Sequence, residues 1–303
     1  MGSLASAVVQ EVQARYRCEV GMVVGVPGGY DVWAESWRLD SDRGPLLLRA
    51  DRGVSPETAG WLGDAQRRVE AAGIPCCPPL AALDGAVAFR VEDATVTVRA
   101  WVEGTDLDRD DPDQVRAAGA TLARLHGIGA AMIVQRPAPS PWHGELWPDD
   151  HDPPALCDPD LDAWQRAFTG GAAEQFGYGL VHGDFWADNI LWASARVAAV
   201  IDWSEARLDV LVRELAWATW EFGHDDNYQL EVDRARTFLA GYREVAGRWE
   251  SGLASVLISL MRVALRVNAR YSLADPGDWE YTTALQCEFG RLRRQTAAPL
   301  LRP

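Results

Sequence analysis

The chain has 303 residues, of which 48% are hydrophobic and 24% charged, a composition typical of a globular enzyme large enough for two domain cores. Its net charge of −15 argues against a nucleic-acid partner, which requires a basic face, and fits a cationic small substrate, although acid excess also simply aids solubility. Five cysteines without zinc-site spacing, no signal-peptide pattern and no apolar run long enough for a membrane span predict a cytoplasmic protein.

Turn residues and alternating apolar residues predict the start of an antiparallel sheet near the N-terminus. The predicted elements are a helix over 4–17, a strand over Val20–Val26, a turn over Pro27–Asp31 and a strand over Val32–Leu39. Gly28 and Gly29 lie in the turn, where the lack of side chains lets the backbone approach a phosphate group closely. A Gly-Gly hairpin is also an ordinary turn, so both interpretations stay open.

A third strand is predicted over Pro45–Ala50, and it carries Arg49 near its end. The chain contains no lysine, so all 29 of its Lys and Arg positions are arginine and only an arginine can give a strong cation here. The ordinary alternative is a surface arginine at a strand end. A helix follows from the N-cap candidate Ser55, with Pro56 in its first turn, to Ala72.

In the middle of the chain, a second predicted hairpin is followed by a helix and an irregular stretch. This hairpin is predicted over Ala86–Val91 and Ala94–Val102, and it runs into the sequence Trp101–Gly104. An amphipathic helix is predicted over Asp113–His126, and a long, proline-rich irregular stretch follows over 127–160.

The segment Val181–Asp202 concentrates oxygen-bearing side chains around two short apolar runs. Asp184 closes the tripeptide His-Gly-Asp, Asn189 lies five positions later, and the second apolar run ends on Asp202. Two strands joined by a tight connection would bring these two carboxylates and one amide together. Hard oxygen ligands suit Mg²⁺, and such a cluster performs phosphoryl transfer when one carboxylate accepts the proton of an attacking hydroxyl.

Each of these residues also has an ordinary interpretation. An Asp after a Gly is often a turn residue, and an Asp at a strand end can cap a helix. These explanations suit single residues better than the combination of Asp184, Asn189 and Asp202.

The C-terminal part of the chain is predicted to be helical. Helices are expected over Arg213–Phe222, Leu230–Val245, Gly252–Tyr271 and Trp279–Thr296. The acidic residues Glu221, Asp225 and Asp226 lie at the end of the first of these helices, where they could bind a cationic substrate.

The motif "HGDFWADNIL", followed by "VIDW", resembles the catalytic segment of the aminoglycoside phosphotransferase family. This family is a branch of the protein-kinase-like fold, which also includes choline kinases, type II homoserine kinases and macrolide phosphotransferases. The resemblance covers nearly the whole chain and implies an α+β, two-lobe, protein-kinase-like fold. It implies a small lobe with an antiparallel sheet over 1–100, a hinge over 101–104 and a mainly helical lobe over 105–303.

The resemblance also implies roles for individual residues. Asp184 would be the catalytic base, Asn189 and Asp202 would hold Mg²⁺, and Arg49, where the family normally carries a lysine, would bind nucleotide phosphates together with Gly28 and Gly29. Trp101, Val102 and Glu103 would line the adenine site. An acidic residue on the helix after Arg49 would pair with that arginine, with Glu57 and Asp64 as candidates.

These inferences predict a kinase that transfers the γ-phosphate of ATP or GTP to a hydroxyl of a small, cationic molecule such as an aminoglycoside. A metabolite kinase acting on homoserine, choline or an amino sugar is the alternative. A nucleotide-binding protein with weak or no transfer activity is a third possibility, from a different class. We expect a monomer or a weak homodimer.

Overall fold

Strands dominate the N-terminal third of the chain and helices the remainder, so the fold is α+β, as the sequence predicts. The computed structural model describes residues 3–26, 34–128, 153–247, 252–274 and 279–302. The strands are β1 (Val20–Val26), β2 (Ala34–Ser41), β3 (Gly44–Asp51), β4 (Phe89–Val91), β5 (Ala94–Ala100), β6 (Thr105–Asp106), β7 (Tyr178–Val181), β8 (Ile190–Ala193), β9 (Arg196–Val200) and β10 (Arg207–Val210). The helices are α1 (Ser3–Tyr16), α2 (Pro56–Ala71), α3 (Pro112–His126), α4 (Pro159–Thr169), α5 (Leu211–Glu221), α6 (Val232–Ala246), α7 (Leu253–Ala274), α8 (Trp279–Leu292) and α9 (Ala298–Leu301).

The N-terminal sheet has five antiparallel strands in the order β1-β2-β3-β5-β4. In β3, Leu46, Leu48 and Ala50 are buried on one face, while Leu47 and Arg49 between them are only partly buried. This alternation follows from the two-residue period of a strand, and it sends the leucines into a core shared with α1. Arg49 therefore lies on the opposite face from that core.

Local capping fixes where the first long helices begin. Ser55 accepts a hydrogen bond from the Thr58 amide, and Pro56 occupies the first turn of α2. The Asp111 side chain accepts from the amides of Asp113 and Gln114 at the start of α3. These caps place both helices within one residue of their predicted starts.

Helices α3 and α6 pack closely because glycines remove the side chain at their contact. A Cβ added to Gly241 would lie 1.9 Å from the Arg116 carbonyl oxygen, and one added to Gly119 would lie 2.1 Å from the Phe238 carbonyl oxygen. The two backbones therefore approach at distances that only glycine allows.

Replacing Gly241 with alanine is expected to destabilise the protein by about 1–3 kcal/mol, because the added methyl group forces the two helices apart. Urea unfolding followed by circular dichroism measures this loss. Gly290→Ala on α8 is the control, since a Cβ at Gly290 meets no atom within 4 Å and helix propensity favours alanine by up to about 1 kcal/mol. Equal stability of the two variants would contradict the close contact.

The described residues form two compact units. One unit contains the residues up to Gly104 together with Ala198–Ile201, and the other contains those from Thr105 onward apart from that insertion. Among the described helices, none combines the length and apolarity that crossing a membrane requires. The predicted phosphate-binding glycines, Gly28 and Gly29, lie outside the described residues, as does most of the irregular stretch over 127–160.

Candidate active site

A two-stranded antiparallel ladder positions the His-Gly-Asp segment. Strand β7 pairs with β10 in the register Val181↔Arg207, and β10 leads directly into α5. The chain after β7 therefore runs beside the first turn of α5. This pairing explains how residues around 184 and around 214 come together although they are far apart in sequence.

The backbone at Gly183 requires glycine. Its φ is +89°, and a Cβ there would lie 2.3 Å from the Glu205 carbonyl oxygen. The preceding residue, His182, is fully buried, and its ring packs edge-on against Trp203 at 4.7 Å and Phe185 at 6.0 Å between centroids. The buried His182 ring thus anchors the loop that carries Asp184.

Asp184 and Asn189 contact each other directly. The Asn189 Nδ2 group donates to the Asp184 carboxylate oxygen Oδ2 at 2.9 Å and to the Asp184 main-chain oxygen at 2.9 Å. The Trp186 side chain also hydrogen-bonds the Asp184 carboxylate. Because the Asn189 nitrogen is used in this way, its amide oxygen is the atom that could ligate a cation.

The electrostatic surroundings of Asp184 are unfavourable for its negative charge. Burial, and then the charges of Asp202 and Glu221, raise the pKa of Asp184 from 3.8 to about 7, while the hydrogen bonds from Asn189 and Trp186 act in the opposite direction. A bound cation removes this kind of repulsion among carboxylates. The surroundings of Asp184 therefore concentrate negative charge.

Asp202 lies in the left-handed backbone region, with φ of +52°. Aspartate tolerates this conformation better than most residues, and backbone strain of this kind often accompanies functional sites. Among the described residues, no group of three or more His, Cys, Asp and Glu side chains has the spacing of a complete metal site. Asn189 and Asp202 are the residues here that could hold an ion such as Mg²⁺, which takes few protein ligands and completes its shell with water and phosphate oxygens.

A buried carboxylate on α5 holds the loop backbone. Glu214 accepts hydrogen bonds from the Gly183 amide at 2.6 Å, the His182 amide at 3.2 Å and the His126 Nε2 atom at 2.9 Å. The other ring nitrogen of His126 contacts the Tyr242 hydroxyl at 2.9 Å. His126, at the end of α3, therefore links this helix to Glu214 and Tyr242.

The three predicted substrate acids have different surroundings. Glu221 is buried and its charge acts on Asp184. Asp225 accepts the amides of Asn227 and Gln229, which places it in a turn, and Asp226 is exposed. Only Glu221 of these three is thus associated with the site around Asp184.

Arg109 supports the region around Glu221. Its Nη1 atom lies 3.1 Å from the Glu221 carbonyl oxygen and 2.7 Å from His224 Nε2. Sequence reasoning did not identify Arg109 or His224, because neither belongs to a recognisable motif. The charges of Asp106, Arg109 and Glu221 also act on Asp188. Asp188 belongs to the His-Gly-Asp motif segment, but it was not among the site residues predicted from the sequence.

The predicted nucleotide-binding residues that the structure describes, Arg49 and residues 101–103, lie in the N-terminal unit. Arg49 forms an ion pair with Asp51 at 3.7 Å. Trp101 packs under the Arg38 guanidinium, 4.9 Å from the ring centroid, and its buried indole nitrogen has no hydrogen-bond partner among the described residues. Val102 is partly buried and Glu103 is exposed, with an ion pair to Arg38 at 3.4 Å.

Comparison with known proteins gives a family match over most of the chain. The model of the APH phosphotransferase enzyme family matches residues 25–248. A homoserine kinase of Hyphomonas neptunium is 27% identical over 270 residues, which cover 82% of this chain and 80% of that protein. A homoserine kinase of Methylobacillus glycogenes is 28% identical over 183 residues, and the match spans only 55% of its length.

Solved structures share the fold at low sequence identity. An amicoumacin kinase in complex with AMP-PNP and Ca²⁺ superposes with a TM-score of 0.71 at 11% identity, over 95% of this chain and 92% of that one. A microcompartment-associated aminopropanol kinase gives a TM-score of 0.67 at 16% identity, over 98% and 99% of the two chains. At these identities the likeness shows the fold alone.

Proposed function

The chain belongs to the APH phosphotransferase enzyme family, and from that premise we propose that it transfers the γ-phosphate of ATP to a hydroxyl of a small molecule. The observation that carries the proposal is the contact of Asp184 with Asn189, beside Asp202 and Glu221, in a loop that β7 and α5 fix. A precisely held carboxylate among acids is what hydroxyl activation and cation binding require together.

In this proposal Asp184 accepts or orients the proton of the attacking hydroxyl. The hydrogen bond from Asn189 Nδ2 to Oδ2 fixes the direction of its carboxylate, so the substrate oxygen meets one defined acceptor. Catalysis then comes from positioning and charge neutralisation, because the protein contributes little covalent chemistry to phosphoryl transfer.

Asp202 and the Asn189 amide oxygen are the proposed ligands of Mg²⁺. When bound, the ion neutralises negative charge on the nucleotide phosphates. Arg49, together with Gly28 and Gly29, would bind phosphate oxygens, and Trp101, Val102 and Glu103 would contact the base. We propose ATP as the donor and keep GTP as the alternative, since a base site of this kind could accept either purine.

For the acceptor we propose a cationic molecule, with an aminoglycoside-type antibiotic first. The acidic groups around Asp184, with Glu221 among them, would attract an amine and would make the protein a resistance enzyme. The relatives named homoserine kinase favour the alternative of a metabolite kinase for an amino alcohol. Homoserine carries a carboxylate as well as an amine, so its binding also requires a positively charged side chain. Arg109, which donates to the Glu221 carbonyl oxygen, is a candidate for that contact.

We also propose a cellular setting and an oligomeric state for the protein. All five cysteines are free thiols, which supports a reducing compartment such as the cytoplasm. A monomer or a weak homodimer remains our proposal for the oligomeric state.

A substrate panel tests the proposed reaction. The purified chain is incubated with Mg²⁺ and either ATP or GTP in the presence of aminoglycosides, macrolides, choline, homoserine, aminopropanol and amino sugars, and ADP or GDP formation is measured. We expect nucleoside diphosphate formation that depends on one class of amine-bearing acceptor. Turnover with homoserine alone would replace the antibiotic proposal with the metabolite one.

The remaining possibility is a nucleotide-binding protein with little transfer activity. Nucleotide binding without acceptor-dependent turnover across the whole panel would favour it. The retained contact of Asp184 with Asn189 argues for the enzyme, since binding alone places no demand on that geometry.

A further inference from the structure

Helix α2 carries no inward-facing carboxylate for Arg49. The buried residues of α2 are Thr58, Ala59, Trp61, Leu62, Gly63, Ala65, Gln66 and Val69. Of the two acids that the sequence suggested as partners of Arg49, Glu57 is exposed in the first turn, and Asp64 is 69% exposed and pairs with Arg67. Neither candidate side chain is therefore buried between this helix and the sheet.

The buried polar residue of α2 binds a different arginine. Arg99 donates from Nη1 to the Gln66 oxygen Oε1 at 2.6 Å and to the Cys77 carbonyl oxygen at 2.6 Å. The pairs Leu47↔Arg99 and Arg49↔Thr97 place both arginines on one face of the sheet. The helix thus interacts with this face through Arg99.

The carboxylate beside Arg49 comes from its own strand. Asp51 lies two residues later on the same face of β3, and its Oδ2 atom is 3.7 Å from the Arg49 Nε atom. Both side chains are largely buried, with exposed fractions of 21% for Arg49 and 13% for Asp51. The other carboxylate oxygen, Oδ1, accepts the Gly53 amide at 2.7 Å, so the turn after β3 fixes the direction of the Asp51 side chain.

We propose that Asp51 is a positioning residue, which holds Arg49 in the orientation that binds the nucleotide phosphates and takes the part of the absent helix carboxylate. This inference rests on the proposed phosphate-binding function of Arg49. Because both residues belong to one strand, the pair forms whatever the position of α2. Strand β3 itself thus supplies a carboxylate that preorganises Arg49.

Asp51 has two opposing effects on phosphate binding by Arg49. Its charge repels phosphate, but it contacts Nε, the guanidinium nitrogen nearest the main chain, so it lies behind the group and away from its outer edge. Arginine has large side-chain entropy, and fixing it in advance favours binding. We expect the positioning effect to dominate, so that loss of the Asp51 charge weakens phosphate binding about tenfold, within the range for coupled side chains.

Calorimetric binding of two probes to the full chain tests the proposal. The probes are Mg-tripolyphosphate, which reports on the phosphate contacts, and adenosine, which reports on the base contacts. Asp51→Asn keeps an oxygen for the Gly53 amide but removes the charge, and we expect it to weaken tripolyphosphate binding about tenfold while adenosine binding and Tm stay unchanged. Asp51→Glu should recover part of the affinity, and Asp64→Asn, the same charge change on the exposed face of α2, should have no effect.

A double-mutant cycle with Arg49→Ala shows whether Asp51 acts through Arg49. We expect the double variant to bind tripolyphosphate as weakly as Arg49→Ala alone. Additive losses, or wild-type binding by Asp51→Asn beside weak binding by Arg49→Ala, would overturn the inference and leave the phosphate role of Arg49 standing. Wild-type binding by Arg49→Ala would overturn both.

Discussion

Replacing Asp184 with asparagine is expected to lower kcat for phosphate transfer about 1,000-fold, in the middle of the range for loss of a general base. Asparagine has nearly the same shape, but it cannot accept the hydroxyl proton. Nucleotide affinity should change less than about threefold, since the proposed phosphate and base contacts lie on other residues. Steady-state kinetics and calorimetric ATP binding on the same preparation separate the two effects.

The control for this variant is Asp233→Asn. Asp233 lies in the first turn of α6, and its side chain is 94% exposed. The substitution therefore removes one carboxylate without changing the site around Asp184. We expect wild-type kcat for this control. An Asp184→Asn variant that kept its kcat would show that another group takes the hydroxyl proton.

Replacing Glu214 with alanine is expected to lower the free energy of unfolding by about 3–5 kcal/mol, the usual cost of removing one partner from a buried charged pair. The change leaves the His182 and Gly183 amides and the His126 ring without their acceptor. Urea unfolding measures the loss. Protein that remains folded should also show a lower kcat, because the loop before Asp184 loses its anchor.

The pH dependence of the unfolding free energy tests whether the charge of Glu214 is what stabilises the fold. Burial alone raises the pKa of Glu214, but the hydrogen bond and charge of His126, the charge of His182 and the Gly183 amide together bring it below 4.5. A carboxyl with a lowered pKa stabilises the fold above its unfolded pKa, and this contribution disappears as the pH falls through its folded pKa.

Glu214→Gln provides the comparison, because glutamine keeps the shape and does not titrate. The difference in unfolding free energy between wild type and Glu214→Gln should be largest near pH 7 and should shrink below about pH 4.5, near the ordinary pKa of glutamate. A difference that is constant across this range would assign the effect to packing.

The fold was predictable where periodicity and capping agree. Alternating apolar residues identified the first three strands, and Ser55 with Pro56 marked the start of α2. Helix α4 and strand β10 were missed, because α4 follows a long irregular stretch and β10 has four residues, too few for a periodic signal. Such short strands are defined by their partner, here β7, which is distant in sequence.

The candidate site was predictable only as far as it is local. Asp184, Asn189 and Asp202 belong to one short segment, so spacing was enough to single them out. The anchoring role of Glu214 depends on the pairing of β7 with β10, and the Asp51 contact depends on which face of β3 each side chain occupies. Both are consequences of tertiary structure, which a pattern of single residues does not contain.

The measurement that tests the central claim most directly is ³¹P NMR of the reaction of ATP and Mg²⁺ with the acceptor that the panel identifies. The account predicts ADP and one new phosphate monoester on a carbon-bound oxygen, in equal amounts, and formation of both about 1,000-fold slower with Asp184→Asn. Inorganic phosphate without an ester, or phosphate attached to an acceptor nitrogen, would contradict transfer to a hydroxyl by this site.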